Sequence, residues 1–194
     1  RGPNVHAILV SPDNKFVYVA DLGLDKVLIY ELDQKAGMLS PAEQPFVSVS
    51  PGAGPRHFTF HPEGPYFYLA QEMGSKVSAY KRDLSSGALI EMQTLSTLPE
   101  DFEGRNSVAD IHTDPEVKYL YVSNRVHNSP AIYPIAEDGE LELLAHESVQ
   151  GDHPRNFMVD PKGEFILVAN NNSDNIVKFS LDPASGLLKH DGFS

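Results

Sequence analysis

One pattern recurs four times along this chain and limits the fold more than any other feature. Pro12, Pro62, Pro115 and Pro161 each close an apolar run, at spacings of 50, 53 and 46 residues. A turn follows each proline: Asp13-Asn14, Glu63-Gly64, Glu116-Val117 and Lys162-Gly163. Next comes a run rich in aromatic and β-branched residues: Phe16-Val17-Tyr18-Val19, Phe67-Tyr68-Leu69, Tyr119-Leu120-Tyr121-Val122 and Phe165-Ile166-Leu167-Val168. A third run follows (Val27-Leu28-Ile29-Tyr30, Val77-Ser78-Ala79-Tyr80, Ala131-Ile132-Tyr133, Ile176-Val177-Lys178-Phe179), then a glycine-led fourth (Gly37-Met38-Leu39, Gly87-Ala88-Leu89, Gly139-Glu140-Leu141, Gly186-Leu187-Leu188). Short runs of this composition between Gly, Pro, Asn and Asp read as strands. Short strands repeating at about 50 residues are the signature of a β-propeller blade, a four-stranded sheet set around a central channel.

The predicted fold is therefore all-β: a single partial propeller over 1–194, with blades at about 1–50, 51–106, 107–150 and 151–194. The fourth blade is expected to be cut off as its last strand begins, between Leu188 and Ser194. The polar stretch from Thr97 to Asn106 is a longer connection expected to cross the top of the disc. The chain begins without Met and starts and stops inside repeats, so the four blades are expected to be a piece of a larger ring. An open array leaves sheet edges and end faces uncovered, which favours association into an oligomer.

Charge narrows the partners. With 27 acidic against 15 basic residues the formal net charge is −12, which argues against nucleic acid, since phosphate contacts need a basic face, and against an anionic membrane surface. There is no cysteine, so neither disulfide nor thiolate chemistry enters. No run reaches membrane-spanning length, Arg1-Gly2-Pro3-Asn4 is no signal peptide, and a cytoplasmic protein is expected.

The repeat register also places candidate functional residues. Six residues before each proline stand His6, Arg56, Ala109 and Arg155; ten residues after it stand Leu22, Glu72, Arg125 and Asn171. In a simple antiparallel hairpin these two columns are near-opposite neighbours, provided no bulge shifts them. Because the first strand of a blade lines the channel, both columns should meet at one of its mouths. Arginine forks match carboxylate and phosphate oxygens, so three arginines converging in an acidic chain point to an anionic small molecule. His and Glu suit proton transfer near neutral pH. His6, Glu72, Arg56 and Arg125 are the candidate catalytic residues; Arg155, His57, Asp110 and His112 are candidates for substrate binding.

Plainer readings stand beside these. Arg56 opposite Glu72 is equally read as a cross-strand ion pair, His6 as a hydrogen-bonded structural histidine, and Arg125 as a surface residue. Asp110-Ile111-His112 reads as packing at the blade rim, or as support for the site. His57 and His61, four apart in a strand, share a face, but zinc needs more ligands at characteristic spacing, so no metal is expected. Asn170-Asn171-Asn172 reads as a turn. There is no nucleophile elbow and no glycine-rich phosphate loop.

Four stretches carry a family likeness: Gly52-Ala53-Gly54-Pro55-Arg56-His57-Phe58-Thr59-Phe60-His61-Pro62, Gln71-Glu72, Ala109-Asp110-Ile111-His112 and Pro154-Arg155-Asn156-Phe157. In that order they resemble the seven-bladed propeller lactonases, the cycloisomerase-type 6-phosphogluconolactonase family that includes the fungal carboxy-cis,cis-muconate lactonizing enzyme. WD40 propellers match less well, because the chain has no Trp. The resemblance implies a seven-bladed ring of which about four blades are seen, and a metal-independent, cofactor-free site at the channel mouth. It places the family's site histidine at His6, its arginine at Arg56, its glutamate at Glu72 and a second arginine at Arg125, though Asn124-Arg125 stands where the family often has Asp-Arg. The implied function is hydrolysis of a sugar lactone, with 6-phosphogluconolactone favoured. A muconate-type lactonizing cycloisomerase and a non-catalytic binding propeller are the alternatives.

Overall fold

The structure is a computed structural model that describes residues 2–193; Arg1 and Ser194, the outermost residues of the expected first and fourth blades, lie outside the described residues. Sixteen strands form four antiparallel sheets, each in simple sequence order. Blade 1 comprises β1 (Val5–Val10), β2 (Phe16–Asp21), β3 (Lys26–Asp33) and β4 (Met38–Ser48). Blade 2 comprises β5 (Pro55–Phe60), β6 (Tyr66–Gln71), β7 (Lys76–Arg82) and β8 (Leu89–Ser96). Blade 3 comprises β9 (Val108–Thr113), β10 (Tyr119–Asn124), β11 (Ser129–Pro134) and the two-residue β12 (Ala145–His146). Blade 4 comprises β13 (Pro154–Val159), β14 (Phe165–Asn170), β15 (Asn175–Leu181) and β16 (Leu188–Phe193). The fourth blade thus has its last strand, which the sequence reading took as cut off. Leu188 pairs with Leu181 and continues the meander.

In blades 1 to 3 the second strand reads as a continuous apolar run because both of its faces are covered, while β14 of blade 4 is fully buried only at alternate residues. In β6, Phe67 and Leu69 join the cluster shared with Tyr18, Val27 and Ile29 of blade 1. Their neighbours Tyr68 and Ala70 join the cluster shared with Val108, Ile111 and Leu120 of blade 3. A third cluster joins Tyr121 and Ile132 to Phe157, Ile166 and Phe179. The core is therefore three layers between neighbouring blades, and each large apolar side chain in it contributes roughly 1.5–3 kcal/mol. β1 has an equally apolar sequence but lies open: Ile8 is 59% exposed, and Val5, Leu9 and Val10 are exposed as well.

β1, β5, β9 and β13 lie against one another and line the channel. Their entry ends, and the ends where the second strands leave, fall on one face of the disc. The connection after β8 returns to that face: Thr97 and Asn106 both bond to Asn124, and Asn106 Nδ2 also donates to Ser75 Oγ. No helix among the described residues is long and apolar enough to cross a membrane.

Candidate active site

A β-bulge sits at the same place in all four channel-side hairpins. Val5 pairs with Asp21 but Ala7 with Ala20, which leaves His6 as the extra residue; Pro154 pairs with Asn170 but Asn156 with Ala169, which leaves Arg155. In blades 2 and 3 the extra residue falls between Pro55 and Phe58 and between Val108 and Ile111. A bulge unpairs one residue and re-aims its side chain. Because all four copies carry it, the column of His6, Arg56, Ala109 and Arg155 stays in register. The other column is pinned by one backbone bond per blade: the N–H groups of Leu22, Glu72, Arg125 and Asn171 donate to the carbonyls of Asn4, Gly54, Ser107 and His153 at 2.9, 2.7, 2.9 and 2.9 Å.

At the mouth these columns build a cationic layer. Glu72 sits between two arginines: its Oε2 is 2.8 Å from Arg56 Nε and its Oε1 is 2.8 Å from Arg125 Nη2. Neither contact is an aligned hydrogen bond; the guanidiniums spend their aligned donors on the backbone. Arg56 Nη1 donates to the Ala109 carbonyl and Arg125 Nη2 to the Val108 carbonyl. Both arginines are buried, at 2% and 6% exposure. Burial is the largest influence lowering Arg56 from the ordinary arginine value; Glu72 opposes it, and Arg125 and Arg155 add to it. Glu72 is therefore more than a partner in one cross-strand pair, and Arg125 is no surface residue.

His6 stands beside this layer, its ring 5.0 Å from that of His57 in an edge-to-face arrangement. Burial, reinforced by the charges of Arg56 and His57, lowers His6 below the ordinary imidazole value against the pull of Glu72. The lowering favours the neutral ring, the form that can accept a proton. Its buried Nδ1 has no hydrogen-bond partner, and the same is true of Arg56 Nε, Arg125 Nε and His112 Nε2. Arg56 Nε and His112 Nε2 still have a carboxylate oxygen at 2.8 and 3.2 Å, which leaves His6 Nδ1 and Arg125 Nε as the buried polar atoms here that call for an explanation.

A second layer lies deeper in the channel around Asp110, which is 3% exposed. His57 Nδ1 is 2.7 Å from Asp110 Oδ1, and Ile111 N donates to the same oxygen at 3.1 Å. Asp110 Oδ2 accepts from Asn156 Nδ2 and from Phe157 N, the latter at 3.2 Å, and His112 Nε2 lies 3.2 Å away without alignment. Burial alone would raise the Asp110 carboxyl; His112 and His57 outweigh it and hold the group well below the usual carboxylate range. Asp110 and His112 therefore belong to the channel, in the innermost strand of blade 3, and not to the blade rim. The hub ties blades 2, 3 and 4 together through one carboxylate.

All eight candidate residues come together at this end of the channel. Arg155 is exposed and, with Arg56, His57 and Asn156, lines a cavity of about 330 Å³. Two residues escaped the sequence reading. Asn156 follows Arg155 as His57 follows Arg56 and Asp110 follows Ala109, so a third repeat column would have found it. His153, on a left-handed backbone at φ 66, is lowered by burial and by the charges of Arg125 and Arg155. His61, by contrast, lies past the end of β5, where its Nδ1 accepts from Gly64 N at 2.7 Å. It does not meet His57.

Fold and site together define a β-propeller whose channel mouth carries an arginine–glutamate–histidine cluster. The chain belongs to the seven-bladed β-propeller lactonases: the family profile described as "Lactonase, 7-bladed beta-propeller" matches residues 1–193. It is 35% identical over 187 residues to a 6-phosphogluconolactonase of Bacillus subtilis, covering 96% of this chain and 52% of the relative. To a 6-phosphogluconolactonase of Formosa agariphila it is 38% identical over 190 residues, covering 96% and 53%. Among solved structures it is similar to the periplasmic gluconolactonase of Pseudomonas aeruginosa, with a TM-score of 0.92 at 33% identity over 98% of this chain and 54% of that one. The chain spans about half the length of the curated relatives it matches.

Proposed function

We propose that this protein hydrolyses a sugar lactone, with 6-phosphogluconolactone as substrate and 6-phosphogluconate as product. The observation that carries the reading is the mouth itself: a histidine beside two buried arginines that one carboxylate contacts at 2.8 Å on either side. Ester hydrolysis needs a base for the attacking water and positive charge where the carbonyl oxygen becomes an oxyanion. His6 takes a proton from water as the water oxygen bonds to the lactone carbonyl carbon. Arg56 and Arg125 stabilise the oxyanion. The carbon–ring-oxygen bond then breaks, and the departing oxygen takes the proton from His6. Glu72, in contact with both guanidiniums, serves better as their positioning residue than as the base. The relatives named 6-phosphogluconolactonase support this substrate over a muconate-type reaction, and a cytoplasmic setting belongs to the same proposal.

The test is acid release from freshly generated 6-phosphogluconolactone above the spontaneous background, by this chain and by a ring completed to the length of the relatives, each beside its Arg125→Ala variant. Acceleration that collapses in the variant supports the reading. No acceleration by either form overturns it and moves the weight to a binding propeller.

A further inference from the structure

The three arginines at the mouth are not equivalent. Arg56 and Arg125 are buried, touch Glu72 and donate to backbone carbonyls. Among the described residues Arg155 has neither an ion-pair partner nor a side-chain hydrogen bond. It is exposed, at the bulge that opens β13, next to the left-handed backbone of His153. The cavity it lines with Arg56, His57, Asn156, Ala169, Asn170 and Asn171 contains no carboxylate, in a chain of net charge −12. The polar side chains that an anion entering that cavity meets are guanidinium, imidazole and amide groups.

We infer that Arg155 is the specificity-determining residue that takes the phosphate of a phosphorylated sugar lactone, while Arg56 and Arg125 serve the carbonyl at the other end. The inference rests on the lactonase reading for its substrate. A guanidinium already in contact with a carboxylate and tied to backbone carbonyls is fixed in place and partly neutralised, which suits an oxyanion that forms at one point. An uncommitted fork can close bidentately on a phosphate dianion, which a lysine ammonium cannot do.

The experiment measures kcat/KM for 6-phosphogluconolactone and for unphosphorylated glucono-δ-lactone at one ionic strength, in wild type, Arg155→Ala and Arg155→Lys, using whichever form is active in the experiment above. Loss of a charge-assisted contact should lower the ratio of the two kcat/KM values about 10- to 100-fold in Arg155→Ala, mainly through KM for the phosphorylated substrate. Arg155→Lys should restore part of it. Inorganic phosphate should inhibit glucono-δ-lactone hydrolysis by wild type and lose that effect in Arg155→Ala. A ratio that stays put, whether both rates fall together or neither moves, overturns the inference. If wild type hydrolyses neither lactone, the lactonase reading fails, and calorimetric titration with inorganic phosphate decides the anion site alone: binding lost in Arg155→Ala upholds it, and binding absent or equal in both proteins overturns it.

Discussion

The two ends of the blades are built from the same repeat and used in opposite ways. At the end away from the mouth every junction repeats its residues. The hydroxyls of Tyr18, Tyr68 and Tyr121 donate to the carbonyls of Gly87, Gly139 and Gly186 in the next blade at 2.6, 3.2 and 2.9 Å. Those glycines have φ of 74, 83 and 72, and an added Cβ would lie 2.5, 2.3 and 2.4 Å from the rings of Phe16, Tyr66 and Tyr119. At the mouth the backbone repeats just as closely, with one bulge and one pinned N–H per blade, but the side chains vary: His6, Arg56, Ala109, Arg155 in one column, where only arginine recurs, and Leu22, Glu72, Arg125, Asn171 in the other, where no residue recurs. Where the copies agree, the residue holds a blade against its neighbour. Where the frame agrees and the residues diverge, the ring has been made asymmetric, as a site for an asymmetric ligand requires.

The sharpest way to break this contrast is at Glu72. Glu72→Gln keeps the shape but removes the charge shared by Arg56 and Arg125, and should lower kcat by about 10²–10³-fold, with a smaller change in KM, in line with the loss of one preorganised electrostatic group. Unchanged turnover would show that the column divergence at this position has no chemical use. The same site has a pH signature. His6 is lowered, so its neutral form persists below the ordinary imidazole value of about 6.5. Turnover should stay flat above that value and fall only as pH drops through the lower one, and His6→Gln should abolish that limb. The stability term has the same sign: His6 favours the folded protein above about pH 6.5 and withdraws that support as pH falls, because the unfolded chain binds its proton more readily.

At the other end the largest effect is expected from a glycine. Gly139→Ala would meet Tyr66 and impose a left-handed backbone on alanine. The backbone term is about 1–2 kcal/mol, and overpacking adds about 1–3 kcal/mol. Gly37 holds the matching position in blade 1, at φ 64, with nothing within 4 Å of an added Cβ. Gly37→Ala should therefore show the backbone term alone. Denaturant midpoints of the two variants, side by side, separate conformation from packing; equal losses would mean that the ring of Tyr66 gives way freely. Tyr121→Phe removes one inter-blade hydrogen bond and should destabilise by about 1 kcal/mol. Blade 4 has Leu167 in that column and no hydroxyl to lose.

This division explains what was legible in the sequence. The fold was, because Pro12, Pro62, Pro115 and Pro161 set a period that no other arrangement of short strands accounts for. The mouth was, because a shared register carries same-numbered positions to the same place in every blade. The bulges at His6 and Arg155 could have ruined that argument and did not, since an extra residue present in all four copies leaves the columns aligned. What stayed hidden depends on three-dimensional approach. Nothing in Asp110-Ile111-His112 says that its carboxylate will gather Asn156 and Phe157 N from the next blade. Nothing in Glu72 says that it will touch two arginines. The last strand was expected to be cut off as it began at Leu188, yet the six residues Leu188–Phe193 suffice to pair along β15.

The smallest expected effect lies where the far end departs from its own rule. In the turn between the first two strands the column reads Asn14, Gly64, Val117 and Gly163. Asn14 and Gly163 take left-handed backbone at φ 54 and 72, which asparagine's short polar side chain and glycine's missing Cβ allow, but Val117 takes it at φ 56. A branched Cβ crowds its own carbonyl there, at a penalty of about 1–2 kcal/mol. Val117→Asn should relieve most of that strain and stabilise the protein by up to about 1 kcal/mol, which a shift in denaturant midpoint at constant slope would register. Glycine is the weaker remedy, because the freedom it adds to the unfolded chain takes back part of the gain. Lactone turnover should not respond, since Val117 sits at the end of the blade away from the mouth. A destabilised Val117→Asn would mean that the valine methyls are held by packing worth more than the strain, and the column would then diverge for a structural reason.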